Sequence, residues 1–292
     1  MPELPEVEAI RTQLDKFLKG HVISSIEVRN KKVFPDNPKL IIGAKIAGVR
    51  RFGKVVVVDF DNGYSFICHV KLTGQLLYRG PNLKKPGPLS KKVNDGLGGR
   101  HTHVIFALDK KGMLYYNDFR RFGWIKVVKT KDVEEFDFIK KLGPEPFGSA
   151  QGKPLTLKYF SGTLNKTRRA IKVVIMDQSK IGGIGNIYAN DALWDAKINP
   201  KTPAQQLNNL AIKELYKSIE KVLKKGIATG GASELSFVTP DGAEGDYQNH
   251  FLAYGQTGKL CPRCKKAKFE KIQLGGRGTY FCPHCQKASN IN

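Results

Sequence analysis

Two cysteine pairs near the C-terminus, Cys261-Pro-Arg-Cys264 and Cys282-Pro-His-Cys285, constrain the fold of this chain more than any other stretch. They are separated by 17 residues, the spacing of a four-cysteine zinc ribbon or finger. A segment this short cannot bury enough apolar surface to fold alone, so the metal supplies the folding energy. Four thiolates close a tetrahedral site and leave no position open to a substrate, so one structural zinc is expected, ligated by Cys261, Cys264, Cys282 and Cys285. Arg263, Lys265, Lys266, Lys268, Lys271 and Arg277 surround the pairs, with Phe269, Tyr280 and Phe281 interleaved. A basic hairpin pinned by metal suits a phosphate backbone, with a purely structural knuckle as the alternative. The fifth cysteine, Cys68, sits in an alternating apolar run and reads as core. Thiols arranged for metal rather than for disulfides suit a reducing cytoplasm.

Charge narrows the partners. Forty-nine Lys and Arg against 26 Asp and Glu give +23, which points to a polyanion, although a generally basic surface would give the same number. Nucleic acid comes before membrane, because no basic amphipathic helix and no apolar run of spanning length stands out. A soluble, unexported monomer is expected.

Along the chain, Val7, Ile10, Leu14, Phe17 and Leu18 recur at helical spacing between Pro5 and Gly20, predicting a first helix with one apolar face. Residues 22–130 then read as short strands: Val55 to Phe60, a turn at Asp61-Asn62-Gly63, Tyr64 to Leu72, a hairpin from His101 to Tyr116, and Phe122 to Val128. So many strands before a second helix predict a β-sandwich. Gly80 to Gly99 reads as an exposed loop. The expected organisation is a leading helix and β-sandwich over 1–130, a linker over 131–152, a helical domain over 153–258 and the zinc finger over 259–292, an α+β multidomain chain. Within the helical domain, a long helix is predicted over 204–225, capped by Thr202-Pro203 and stopped by Gly226, with a mobile loop over 227–258.

Two further stretches carry chemistry. Ile181-Gly-Gly-Ile-Gly-Asn186 places glycines ahead of a helix, an arrangement that offers backbone N–H groups to an anion or simply permits tight helix packing. Asn117 to Gly123 combines cations with aromatics, a composition that could fill the gap left by an extruded base or form an exposed salt-bridged turn. At the other end, removal of Met1 would expose the secondary amine of Pro2, with Glu3 and Glu6 beside it. A terminal amine has a reference pKa of about 7.7–8.0, so part of it is neutral and nucleophilic near pH 7. A loose acidic tail is the alternative, but the helix behind it argues for a rigid support.

Taken together, Pro2-Glu3-Leu4-Pro5-Glu6-Val7-Glu8, Arg50 to Lys54, His69 to Gly74, Asn117 to Gly123, Lys172 with Met176-Asp177, the glycine turn ending in Asn186, and Gly276 to Cys282 resemble the formamidopyrimidine-DNA glycosylases, which share a family with endonuclease VIII. The matches span the chain in the family's order. The resemblance implies a β-sandwich, a helix–two-turns–helix unit and a zinc finger, and a bifunctional base-excision repair enzyme. Such an enzyme excises oxidised purines such as 8-oxoguanine and formamidopyrimidines through a Schiff base on its N-terminal proline, then cleaves the strand by β,δ-elimination. It implies double-stranded DNA carrying oxidised bases or abasic sites as partner. By the same resemblance Pro2 is the nucleophile and Glu3 the acid. Lys54 matches a lysine near the lesion and its phosphate, and His69, Asn186 and Arg277 a phosphate clamp, with Lys54 and Arg277 in the catalytic set. Lys172 and Glu6 match further active-site groups, and Leu72, Arg120 and Phe122 the residues that enter the duplex. Leu72 stands where the family usually has methionine, and Phe119 where it has proline, which puts opposite-strand preference rather than catalysis in question. Two other readings stay open: an endonuclease VIII-like oxidised-pyrimidine glycosylase, and a non-catalytic zinc-ribbon DNA-binding protein.

Overall fold

The computed structural model describes residues 1–147 and 153–287; the end of the segment read as a linker, 148–152, lies outside the described residues. The chain divides into two compact units, one of Met1–Lys140 with Gly226–Gln248, the other of Lys141–Lys225 with the chain from Asn249 onward. Among the described residues no helix is long and apolar enough to cross a membrane.

The first unit opens on α1, Leu4–Leu18, with Pro5 in its first turn and the predicted apolar face buried. Eight strands follow: β1 Ile23–Val28, β2 Ile46–Phe52, β3 Val55–Phe60, β4 Tyr64–His69, β5 Gly74–Arg79, β6 Thr102–Leu108, β7 Met113–Asp118 and β8 Trp124–Lys129. They form two antiparallel four-stranded sheets, in the orders β1-β6-β7-β5 and β2-β3-β4-β8. Alternating side chains from both sheets make one core, where Phe66 of β4 stacks on Phe106 of β6 at 5.4 Å and Phe17 of α1 stacks on Tyr78 of β5 at 5.1 Å. Cys68 belongs to this core; burial pushes its thiol pKa up, so it is an inert packing group. The turn at Asn62-Gly63 is placed as the sequence suggests, with Gly63 at φ +81°. After β8 a single turn of helix, α2, covers Asp137–Lys140.

Of the segment read as a mobile loop over 227–258, the first two residues belong to the long helix and the rest is irregular apart from a 3₁₀ turn at Tyr247–His250. The long helix, α6, runs from Asn209 to Ala228, not 204–225. Its start is later because Asn208 accepts the Ala211 N–H at 2.9 Å, a true N-cap, while 204–206 form only a short 3₁₀ turn. Gly226 stays helical; the helix ends at the left-handed Gly230 and Gly231. Residues 229–248 are then fastened to the sandwich. The Tyr78 N–H on edge strand β5 donates to the Pro240 carbonyl at 2.7 Å, and the Gln75 amide donates to the Ser236 carbonyl at 2.6 Å. The 80–99 stretch is fastened as well: the Asn117 amide donates to the carbonyls of Asn94 and Gly96.

The second unit contains α3 Leu157–Asn165, α4 Ile171–Ile175, α5 Asn186–Asp195 and most of α6, followed by the hairpin β9 Glu270–Leu274 and β10 Arg277–Phe281. Helix α5 is its spine. Asp191, fully buried, accepts the N–H groups of Ala253 and Tyr254, and Trp194 at its end packs on Phe269 under the Arg263 guanidinium.

Candidate active site and nucleic-acid interface

The N-terminus of α1 is held by a reciprocal capping box. Glu3 is the N-cap, its side chain accepting from the Glu6 N–H, and the Glu3 N–H donates back to Glu6 Oε2 at 2.7 Å. The other Glu6 oxygen accepts the Ala232 N–H at 2.8 Å, so one carboxylate ties the terminus to the segment after α6. A Cβ at Gly231 would come within 2.8 Å of Glu6 Cγ, which with φ +83° restricts that position to glycine. Pro2, Glu3 and Glu6 are all buried, so the loose-tail alternative does not hold. The amine of the chain's first residue titrates below its ordinary value mainly because of burial; the carboxylates of Glu3, Glu6 and Glu234 oppose the shift and the Lys54 charge adds to it.

Lys54 is brought there by the β2–β3 turn. Arg51 is buried under it, donating from Nε to Glu8 Oε2 at 2.8 Å and from Nη1 to the Gly53 carbonyl at 2.9 Å. Despite partial burial, the hydrogen bonds from Arg11 and Arg51 hold the Glu8 carboxyl below its usual range. A buried cation paired with α1 thus fixes the turn that carries Lys54.

His69 ends β4 against Trp124 and Phe138. Burial, reinforced by the Lys71 and Lys54 charges, lowers its pKa to about 3, so the ring is neutral at physiological pH. The Lys71 N–H donates to Nδ1 at 3.0 Å, which puts the proton on Nε2 and makes that atom the donor for a ligand. Since the folded pKa lies below the unfolded value near 6.5, the unfolded chain binds the extra proton, and stability falls as pH drops from about 6.5 toward 3. From this ring alone about 1.5 kcal/mol should be lost between pH 6.5 and 5. Chemical unfolding across that range should show the loss, and His69→Gln should flatten it; an unchanged slope in the variant would assign the acid sensitivity elsewhere.

Leu72 and the 118–123 turn are joined through Asp118, a buried residue the sequence reading passed over. It accepts the Thr73 hydroxyl, the Arg120 N–H at 3.2 Å and, through Oδ2, the Gly123 N–H at 2.8 Å. Its bond to a backbone N–H two residues on was the local signal. A Cβ at Gly123 would overlap the Tyr116 hydroxyl. Held this way, the turn presents Phe119 and Phe122, 58% and 57% exposed, with the Arg120 guanidinium 4.8 Å from the Phe122 ring centre. Leu72 is half-buried, and its carbonyl accepts from the Ser236 hydroxyl at 3.1 Å.

The remaining candidates lie in the second unit. The glycine turn leads into α5 as expected, with Gly185 as N-cap and Asn186 as the first helical residue. Arg277 is exposed at the start of β10, after Gly275 and Gly276, both left-handed. Lys172 is fully buried, and its ammonium donates to Asn186 Oδ1 at 2.7 Å, the Gly278 carbonyl at 2.9 Å and Thr279 Oγ1 at 2.7 Å. Asn190, another residue the sequence reading missed, sits one turn after Asn186 and accepts the Tyr280 N–H at 2.8 Å.

The four sulfurs of Cys261, Cys264, Cys282 and Cys285 lie within 4.8 Å of one another. Cys261 and Cys285 are 3.8 Å apart, and Cys264 and Cys282 3.7 Å. A tetrahedron of thiolates with zinc–sulfur bonds of about 2.3 Å has edges of about 3.8 Å, so the donor set fits one structural zinc. These separations are far longer than a disulfide of about 2.05 Å.

Three family models match the chain: the formamidopyrimidine-DNA glycosylase N-terminal domain over residues 1–125, the formamidopyrimidine-DNA glycosylase H2TH domain over 142–237, and the zinc finger found in FPG and IleRS over 258–288. Among curated proteins, the chain is 37% identical to a formamidopyrimidine-DNA glycosylase of Streptococcus thermophilus, covering 98% of this chain and 100% of the relative. It is 35% identical to one of Listeria monocytogenes over the same shares. Among solved structures, Lactococcus lactis Fpg in complex with N7-benzyl-Fapy-dG-containing DNA superposes with a TM-score of 0.84 at 33% identity, covering 98% of this chain and 100% of that one. The same protein with abasic-site DNA gives 0.83 at 34% identity and the same coverage.

Proposed function

Because the chain belongs to the formamidopyrimidine-DNA glycosylase family, we propose that it is a base-excision repair glycosylase for oxidised purines in duplex DNA, with lyase activity residing at the Pro2 amine. What supports the chemical part is the capping box, which holds the terminal backbone and the Glu3 carboxyl in a buried setting, together with a Lys54 charge near enough to act on the terminal amine. Once Met1 is removed, the Pro2 nitrogen gains its lone pair in those surroundings, where burial favours the neutral, nucleophilic form.

In this reading Glu3 donates a proton to the ring oxygen, and the sugar opens as the Pro2 nitrogen bonds to C1′. The C1′–N9 bond then breaks, the base leaving with the proton that the Pro2 nitrogen gives up, which yields a C1′ iminium. Loss of a C2′ proton then expels the 3′ phosphate, and a second elimination expels the 5′ phosphate. The base must leave the stack before any of this, and unstacking costs a few kcal/mol. Phe122, Arg120 and Leu72, presented on turns fixed by Asp118, are suited to fill the vacancy. His69 through Nε2–H, with Asn186 and Arg277, would hold phosphates. Cys261, Cys264, Cys282 and Cys285 hold a zinc that folds the hairpin carrying Arg277 and takes no part in the reaction. Reduced thiols suit the cytoplasm as compartment.

Duplexes carrying 8-oxoguanine, formamidopyrimidine, dihydrouracil or an abasic site test this. The two purine lesions and the abasic site should be cut, leaving phosphate on both new ends. Preference for dihydrouracil would favour the pyrimidine reading, and binding without cleavage would reduce the protein to a DNA-binding module.

A further inference from the structure

Lys172 is an unusual place for a charge: a fully buried ammonium that joins the Asn186 turn to a strand more than a hundred residues from the lysine in sequence. A buried cation is costly unless its donors are matched, and here three N–H bonds meet three acceptors, one on Asn186 and two on β10. Thr279 Oγ1 passes the connection on, donating to the Arg277 carbonyl at 3.1 Å. Asn190, also buried, bridges the same gap: its amide N–H donates to the Asn186 carbonyl at 2.6 Å while its Oδ1 accepts the Tyr280 N–H.

We infer that Lys172 and Asn190 are positioning residues that brace the Asn186 turn and the Arg277 hairpin into one rigid clamp, and that Lys172 also orients the Asn186 amide. The inference rests on the phosphate-clamp reading of Asn186 and Arg277. An ammonium has no lone pair, so it can face only the oxygen of the Asn186 side chain. The Asn186 NH2 is thereby directed elsewhere, as the donor that an anionic phosphate oxygen requires. The hairpin itself turns on two left-handed glycines, Gly275 and Gly276, and without the brace its tip would have to be ordered on each binding event. Lys172 therefore acts through Asn186 and Arg277 and makes no contact with the lesion.

The test uses full-length, zinc-loaded protein and a duplex containing tetrahydrofuran as a stable abasic analogue. Lys172→Met keeps most of the volume and removes all three donors. Its affinity should fall at least tenfold near 0.1 M salt, and the slope of log affinity against log salt should become shallower by up to about one. On a cleavable abasic duplex KM should rise by a larger factor than kcat falls. Thr279→Val, which removes only the hydroxyl bridge, should shift affinity and salt slope the same way by a smaller amount and less than additively with Lys172→Met; it carries the test alone if Lys172→Met loses zinc. Wild-type affinity and slope with a loss confined to oxidised-purine excision would overturn the inference and put Lys172 on the lesion. Wild-type affinity in both Asn186→Ala and Arg277→Ala, with a wild-type salt slope in the latter, would instead refute the clamp reading beneath it.

Discussion

Glu3→Gln should bind damaged duplex within a few-fold of wild type and lose base excision by about 10³-fold, in the middle of the range for removing a positioned general acid. The substitution separates the two jobs of Glu3. A glutamine carbonyl can still accept the Glu6 N–H and preserve the capping box, so α1 and the Pro2 backbone stay in place. Only the transferable proton is removed. Single-turnover excision of 8-oxoguanine, measured with enzyme in excess so that binding does not limit, reads the loss. Excision within tenfold of wild type would show that another group supplies the proton.

The second large effect belongs to the zinc. Cys282→Ser, or removal of the metal by a chelator, should unfold the chain beyond about residue 258 while α1 and the two sheets keep their structure. Zinc binding supplies about 10–16 kcal/mol of folding free energy in isolated fingers, and the few side chains available here, Phe269, Phe281 and Trp194, cannot replace it. With the hairpin gone, Arg277 and the acceptors of Lys172 on Gly278 and Thr279 go too, so affinity for duplex should fall by about 100-fold or more. Metal content, hydrogen exchange in β9 and β10, and equilibrium binding check this together. Full affinity in zinc-free protein would mean that the hairpin contributes nothing to the interface.

What could be read from the sequence was what depends on neighbours in the chain. The Asn62-Gly63 turn, the apolar face of α1, the glycine turn before Asn186 and the paired cysteines are each set within a few residues, and the structure places them where the sequence did. What is not legible involves partners far apart. Residues 227–258 look like a loop because their polar and glycine-rich composition has no period, yet Pro240 and Ser236 satisfy donors on β5 some 160 residues earlier. The start of α6 is decided by a nearer contest, in which Asn208 caps better than Thr202-Pro203. At the site, Lys172 reads as an active-site lysine by resemblance, whereas its burial is decided by Gly278 and Thr279 on a strand that zinc folds. Asp118 shows only its Asx-turn signal locally, while its hold on Thr73 and Gly123 shows none, and the value of Asn190 lies in the Tyr280 N–H, which no local pattern displays.

The covalent bond to the sugar should form at the Pro2 nitrogen. Protein with Met1 removed, incubated with 8-oxoguanine or abasic duplex in borohydride, should give a reduced adduct, and peptide mapping should place it on the Pro2 nitrogen. Protein that retains Met1 should give none, because its proline nitrogen is an amide. An adduct mapped to Lys54 in correctly processed protein, or equal trapping with Met1 in place, would contradict the assignment of Pro2 as the nucleophile.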